Sequence, residues 1–96
     1  MVGLRRTRLE IEYDILAEIQ KEKKPTKIMY KANLSHSLLK KYLNEFLNNG
    51  MITLTTFKKN RKEYNRYTLT TKGLEYYASL HKIVKEFNNL QKQYGK

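Results

Sequence analysis

The sequence has 96 residues, one domain's worth of chain, and its 20 lysines and arginines against 9 aspartates and glutamates give a formal charge of +11 and a pI of about 9.9. That balance suits a polyanionic partner better than a neutral small molecule, so no small-molecule ligand is expected; the absence of cysteine excludes disulfides, thiol catalysis and cysteine-ligated metal sites. No run approaches the roughly 18 apolar residues of a membrane span, and the opening "MVGLRRTRLEIEYD" has no apolar run long enough for a signal peptide, which predicts an intracellular, cytoplasmic chain with no membrane partner.

In "TRLEIEYDILAEIQKEKK", Leu9, Tyr13, Leu16 and Ile19 recur at spacings of three and four, with Ile11 and Ile15 widening the stripe, which predicts a helix over about residues 7–23. Acids near its start and lysines near its end suit the helix dipole. Pro25 then breaks it and fits the first turn of the next helix. The segment "PTKIMYKANLSHSLLKKYLNEFLNNG" is apolar at helical spacing but interrupted by "NLSHS", whose residues favour turns and N-caps. It therefore reads as a short helix over about 26–32, a turn at Asn33 and Leu34, and a longer helix opening at Ser35 and stopping before Gly50, a residue suited to a left-handed C-terminal cap. After it, "MITLTTF" and "EYNRYTLT" are β-branched and aromatic enough to pair as strands, with "KKNRK" as the hairpin loop. Thr70 or Thr71 can cap a last helix over about 72–94, with Gly73 in its first turn, where glycine costs least.

That last helix carries Tyr76, Leu80, Ile83, Phe87, Leu90 and Tyr94 at alternating spacings of four and three, the seam of a coiled coil. Its first two turns suit packing against the chain's own first helix. About 23 residues span roughly 34 Å, more than so small a domain covers, so the remainder predicts a homodimer, parallel or antiparallel.

Helix, helix, turn, helix, strand, charged loop, strand, helix is the order of a winged helix-turn-helix: an α+β chain, mostly α, whose partner is expected to be double-stranded DNA. Five of the nine acids lie between residues 10 and 22, whereas Lys23 to Lys96 holds sixteen basic and four acidic residues, a net +12. On the recognition helix Leu38, Leu39, Tyr42, Leu43, Phe46 and Leu47 are expected to face the core, leaving His36, Ser37, Lys40, Lys41 and Asn44 outward as DNA-binding candidates. Lysine serves a phosphate as readily as a guanine, so Lys40 and Lys41 are contacts without an assigned sequence role. In the wing, Lys58, Lys59, Arg61 and Lys62 surround Asn60, with Arg66 on the return strand, and Arg5, Arg6 and Arg8 form a further cluster on an N-terminal arm.

Eight tyrosines raise the alternative of base stacking on single strands, but Tyr13 and Tyr42 fit the core, Tyr76 and Tyr94 the seam, and Tyr64 and Tyr67 a strand. Tyr30 is expected in the core, although its hydroxyl lies where it could meet a phosphate. No catalytic residue, metal site or cofactor is expected: His36 and His81 are far apart, no glycine-rich phosphate loop or ligand spacing occurs, and Glu10 and Asp14 compensate a helix dipole.

The stretch "TKIMYKANLSHSLLKKYLNEFLNNGMI", with its "ANLS" turn from Ala32 to Ser35, the "YTLTTKG" from Tyr67 to Gly73 and the heptad-bearing last helix, resembles the small dimeric winged-helix DNA-binding chromatin proteins of Sulfolobus-type archaea, the ten-kilodalton "a" family, over about residues 8–94. The resemblance implies a homodimer joined by an antiparallel coiled coil of the last helices. It also implies duplex DNA bound with weak sequence preference, nucleoid association, and a role in packaging or broad regulation. The chain would then divide into a DNA-binding domain over 1–71 and a dimerisation helix over 72–96. The wing, Thr53 to Arg66, is longer and more basic than that family's usual hairpin. A sequence-specific viral or plasmid repressor, or a winged-helix module for RNA or protein, remain the alternatives.

Overall fold

The computed structural model describes residues 7–21 and 25–94, without the side chains of 26 and 91–94. Helix α1, Arg8–Gln20, begins in a capping box: Thr7 Oγ1 accepts from the Glu10 amide at 3.2 Å, and the Thr7 amide donates to Glu10 Oε1 at 2.9 Å. The helix stops at Gln20, short of the expected residue 23. Lys21 is its C-cap, facing Glu18 at 3.6 Å, and residues 22–24 lie outside the described set.

Helices α2, Pro25–Ala32, and α3, His36–Asn48, form the helix-turn-helix. Both end in the same way. Asn33, at φ 55°, donates to the Tyr30 carbonyl while Leu34 donates to that of Met29; Gly50, at φ 72°, donates to Leu47 while Met51 donates to Phe46. This paired pattern is the Schellman motif, which satisfies the last carbonyls of a helix by turning the chain left-handed. Ser35 caps α3 by accepting from the Leu38 amide at 3.2 Å.

Strands β1, Ile52–Lys59, and β2, Lys62–Leu69, pair antiparallel from Ile52↔Leu69 to Lys59↔Lys62. The expected five-residue loop is therefore only two residues long. Asn60 and Arg61, at φ 54° and 66°, make a tight turn with both central residues left-handed, the geometry that matches the twist of the flanking strands. Lys58, Lys59 and Lys62 belong to the ladder, and the wing is a continuous ribbon.

Helix α4, Thr71–Tyr94, starts at a junction built around Thr70. The Thr70 hydroxyl accepts from the Gly73 amide at 3.0 Å and donates to the Gly50 carbonyl at 2.6 Å, while its amide donates to the Met51 carbonyl at 3.0 Å. Lys72 Nζ adds a bond to the Asn49 carbonyl at 2.8 Å. Here Gly73 does more than occupy a tolerant first turn. A Cβ on it would sit 2.0 Å from the Met51 carbonyl oxygen, so only a bare α-carbon lets the helix start so close to β1.

One core joins these elements: Ile15, Leu16 and Ile19 of α1, Ile28 and Ala32 of α2, Leu39, Tyr42, Leu43 and Phe46 of α3, Ile52 of β1 and Leu80 of α4. The seam of α4 divides at Leu80. That residue is buried and Tyr76 is half-buried against the chain itself, whereas Ile83, Phe87 and Leu90 are 49, 48 and 53 % exposed. The side chain of Tyr94 lies outside the described residues. Two other expectations fail: Leu38 is 38 % exposed on the flank of α3, and Tyr30 is 79 % exposed because it sits opposite buried Ile28 and Ala32 on α2. No helix among the described residues is long and apolar enough to cross a membrane.

The glycines predict contrasting costs. Gly73→Ala should lower stability by about 1–3 kcal/mol through overpacking against the Met51 carbonyl. Gly50→Ala, where no atom lies within 4 Å of the added carbon, should lose only about 1 kcal/mol, from its left-handed backbone. Urea midpoints of both variants check the order.

Candidate nucleic-acid interface

Because Leu39, Tyr42, Leu43 and Phe46 bury one side of α3, helical geometry turns Ser37, Lys41 and Asn44 directly outward, and all three are exposed. His36 and Lys40, also exposed, lie on the flank nearest the wing. With Pro25 and Met29 of α2 and Asn65 and Tyr67 of β2 they line a groove of about 290 Å³ floored by Leu39 and Leu43. The fold thus brings the start of α3 and the return strand to two sides of one groove.

Outward Lys41 borders the other flank of α3, where Leu38, Tyr42 and Glu45 meet Arg8. Arg8 opens α1 instead of lying in a free arm. Its Nη2 donates to Glu45 of α3, its Nε donates to Glu12 at 3.3 Å, and its guanidinium lies 5.4 Å from the centre of the Tyr42 ring. The hydrogen bond to Glu45 and that carboxylate's charge hold the Arg8 pKa above its ordinary value. The Tyr76 hydroxyl donates to the other oxygen of Glu12, so a polar chain runs from α4 through Glu12 and Arg8 to Glu45 on the recognition helix. Arg5 and Arg6 lie outside the described residues.

Lys58, Lys59, Arg61, Lys62 and Arg66 are all exposed on the wing, but its register divides them. Side chains alternate faces along a strand, so Lys59, Lys62 and Arg66 share a face with Phe57 and Tyr64, whereas Lys58 stands opposite Glu63 on the face that carries Asn65 and Tyr67. Arg61 is at the tip. On the aromatic face the Phe57 and Tyr64 ring centres are 5.6 Å apart with planes at 25°, and the Arg66 guanidinium lies 5.4 Å from the Phe57 centre. On the opposite face Thr56 Oγ1 donates to Asn65 Oδ1 at 3.2 Å.

Reading the sequence singled out the Tyr30 hydroxyl for a phosphate but placed the residue in the core, and it missed the exposed Lys27 and Lys31 on α2, Asn65 on the groove, and the aromatic face of the wing. The exposure of Tyr30 could have been found from its position opposite Ile28 and Ala32, and the wing's sidedness from a period of two once the turn was two residues long. Among the described residues no group of three or more histidines and acids could hold a metal ion.

The sequence matches the winged helix-turn-helix family over residues 5–88. An uncharacterized protein of Methanocaldococcus jannaschii is 33 % identical over 86 residues, covering 88 % of this chain and 80 % of that one. Among solved structures, Sso10a-2, a DNA-binding protein from Sulfolobus solfataricus, superposes with a TM-score of 0.75 at 25 % identity, covering 92 % of this chain and 88 % of its own. The PcaV transcriptional regulator from Streptomyces coelicolor shares the fold, with a TM-score of 0.73 at 15 % identity over 94 % of this chain and 63 % of its own.

The link from α4 to α3 has a pH signature. Burial first, then the hydrogen bond to Glu12 and its charge, pushes the Tyr76 phenol up to about 12. A raised phenol pKa means that its contribution is complete below the unfolded value of about 10 and is lost as pH rises through the folded value. Tyr76→Phe should therefore cost about 1–3 kcal/mol at neutral pH. It should also flatten the fall in stability between pH 10 and the value of about 12, leaving the slope due to Tyr13 and Tyr67, whose phenols burial also raises. Urea titrations of both proteins across that range test this.

Proposed function

The chain belongs to the winged helix-turn-helix family, and we propose that it binds double-stranded DNA as a homodimer, mainly through the phosphates, as a chromatin-type protein or broad transcriptional regulator. The observation that carries this reading is the groove between the exposed start of α3 and a wing bearing five exposed cations. On this reading α3 enters the major groove with His36, Ser37, Lys40, Lys41 and Asn44 toward the DNA, and Lys58, Lys59, Arg61, Lys62 and Arg66 lie along the backbone or minor groove. Arg5 and Arg6 extend the positive surface as an arm, with Arg8 at its base. No catalytic step, metal or cofactor enters this function.

Dimerisation is assigned to α4. Tyr76 and Leu80 fix the start of the helix to its own domain, and Ile83, Phe87 and Leu90, continued by Tyr94, offer the apolar seam to a second copy. The pairing in this reading is antiparallel, with a winged domain at each end, as the sequence's resemblance to the archaeal ten-kilodalton family implies, so that residues 1–71 bind DNA and 72–96 join the copies. Nucleoid association is part of the same reading. A second reading, a sequence-specific repressor, is favoured by the uncharged Ser37 and Asn44 on the outward face of α3, groups that read bases as well as backbone. Enrichment of a palindrome from a random duplex pool supports it, and a flat pool rejects it.

Five or six phosphate contacts per winged domain predict that log affinity falls with log salt at a slope of roughly −5 per site. Replacing Lys58, Lys59, Arg61 and Lys62 together by alanine should weaken all duplexes about equally and flatten that slope by roughly 3.6. Fluorescence anisotropy on random-sequence duplexes at several salt concentrations measures both. A slope near zero for the unmodified protein rejects duplex binding through phosphates.

A further inference from the structure

The outer face of the wing has no role in the groove beside α3, yet its composition is distinctive. Phe57 is 37 % exposed although it lies five residues beyond Ile52, where β1 leaves the core. The half-buried Tyr64 backs it, Arg66 lies over it, and Lys59 and Lys62 follow on the same face toward the tip. The wing's acid, Glu63, points to the other face. Lys59 and Lys62 are direct cross-strand partners, an arrangement in which like charges repel, and an anion between them removes that cost.

A surface aromatic pair bordered by cations, with no carboxylate on its face, matches one ligand chemistry well: a nucleobase stacked against the rings with its flanking phosphates on the lysines. An acidic peptide satisfies the cations but leaves the rings exposed to water. A second copy of the chain brings cations against cations. Building on the duplex-DNA reading above, we propose that the Phe57–Tyr64 face of the wing is a stacking platform for an unstacked base, so that the protein prefers duplex DNA containing unpaired nucleotides over perfect duplex. Because this face points away from the α3 groove, the base it takes lies beside the segment under α3, not within it. Lys59 and Lys62 hold the phosphates on either side of the extruded nucleotide, and Arg66 keeps the Phe57 ring in position.

The test compares a perfect random-sequence duplex with the same duplex carrying a short unpaired bulge that contains 2-aminopurine, at one salt concentration. The bulged duplex should bind about 5- to 100-fold more tightly, with quenching of the 2-aminopurine on binding. The double variant Phe57→Leu with Tyr64→Leu keeps apolar side chains in the ladder but removes the rings. It should bind the perfect duplex as before and lose both the preference and the quenching, whereas Phe57→Trp should retain them. Equal affinity of the unmodified protein for both duplexes overturns the platform, as does a preference that survives the double leucine variant. A fall in solution mass in that variant also overturns it, because the face would then join copies of the chain. Failure of the unmodified protein to bind even the perfect duplex would reject the duplex reading itself, an outcome distinct from loss of the preference alone.

Discussion

The fold turns on the close approach of Gly73 to the Met51 carbonyl. At this point the end of α3, the bases of both strands and the first turn of α4 come within hydrogen-bonding reach of one threonine. Thr70 caps α4 with its hydroxyl oxygen, donates its proton to Gly50, and closes the hairpin base with its amide. Gly50 must be left-handed for the chain to turn from α3 into β1, and Gly73 must lack a β-carbon for α4 to leave beside it. Between them these two glycines set the angle of the wing to the recognition helix and the direction in which α4 departs.

Charge is partitioned on the same plan. Acids clustered in α1 are engaged within the molecule: Glu10 in the capping box, Glu12 between Tyr76 and Arg8, and Glu18 beside Lys21. Basic residues on α3 and the wing face solvent. The surface offered to a polyanion is therefore more positive than the net charge suggests, and the one cation of the first helix's opening turn, Arg8, holds α1 to α3 through Glu45. Neutralising acids inside the fold while leaving cations outside separates stability from binding, because the two draw on different residues.

Much of this was legible in the sequence, because the strongest signals were local. Ser35, Gly50 and Thr70 announce caps by residue type, and the three- and four-residue spacing in α1 and α3 locates the core sides. What escaped was set by contacts distant in sequence or by rarer local geometry. The hairpin turn holds Asn60 and Arg61, where glycine usually takes the second left-handed position, so the basic run read as a loop and the two faces of the wing were not separated. Gly73 looked merely tolerated because its constraint comes from Met51, and Arg8 looked free because its partner is Glu45, 37 positions away. Tyr30 and Leu38 were placed inside by counting apolar residues, whereas α2 and α3 each bury a narrower stripe than their composition suggests.

The two-residue turn also has a mechanical meaning. Two eight-residue strands locked by so tight a turn form a ribbon about 26 Å long that is packed into the core at Ile52, Tyr67 and Leu69 and stands clear of it toward the tip. Such a ribbon is a cantilever. Load applied at its tip produces the greatest bending moment at its root, and the root here is the Thr70 junction from which α4 is launched. The segment that meets an outside partner and the helix that leaves the domain are thus fixed in the same clamp, and the compliance of the wing is decided by a threonine and a glycine at its base.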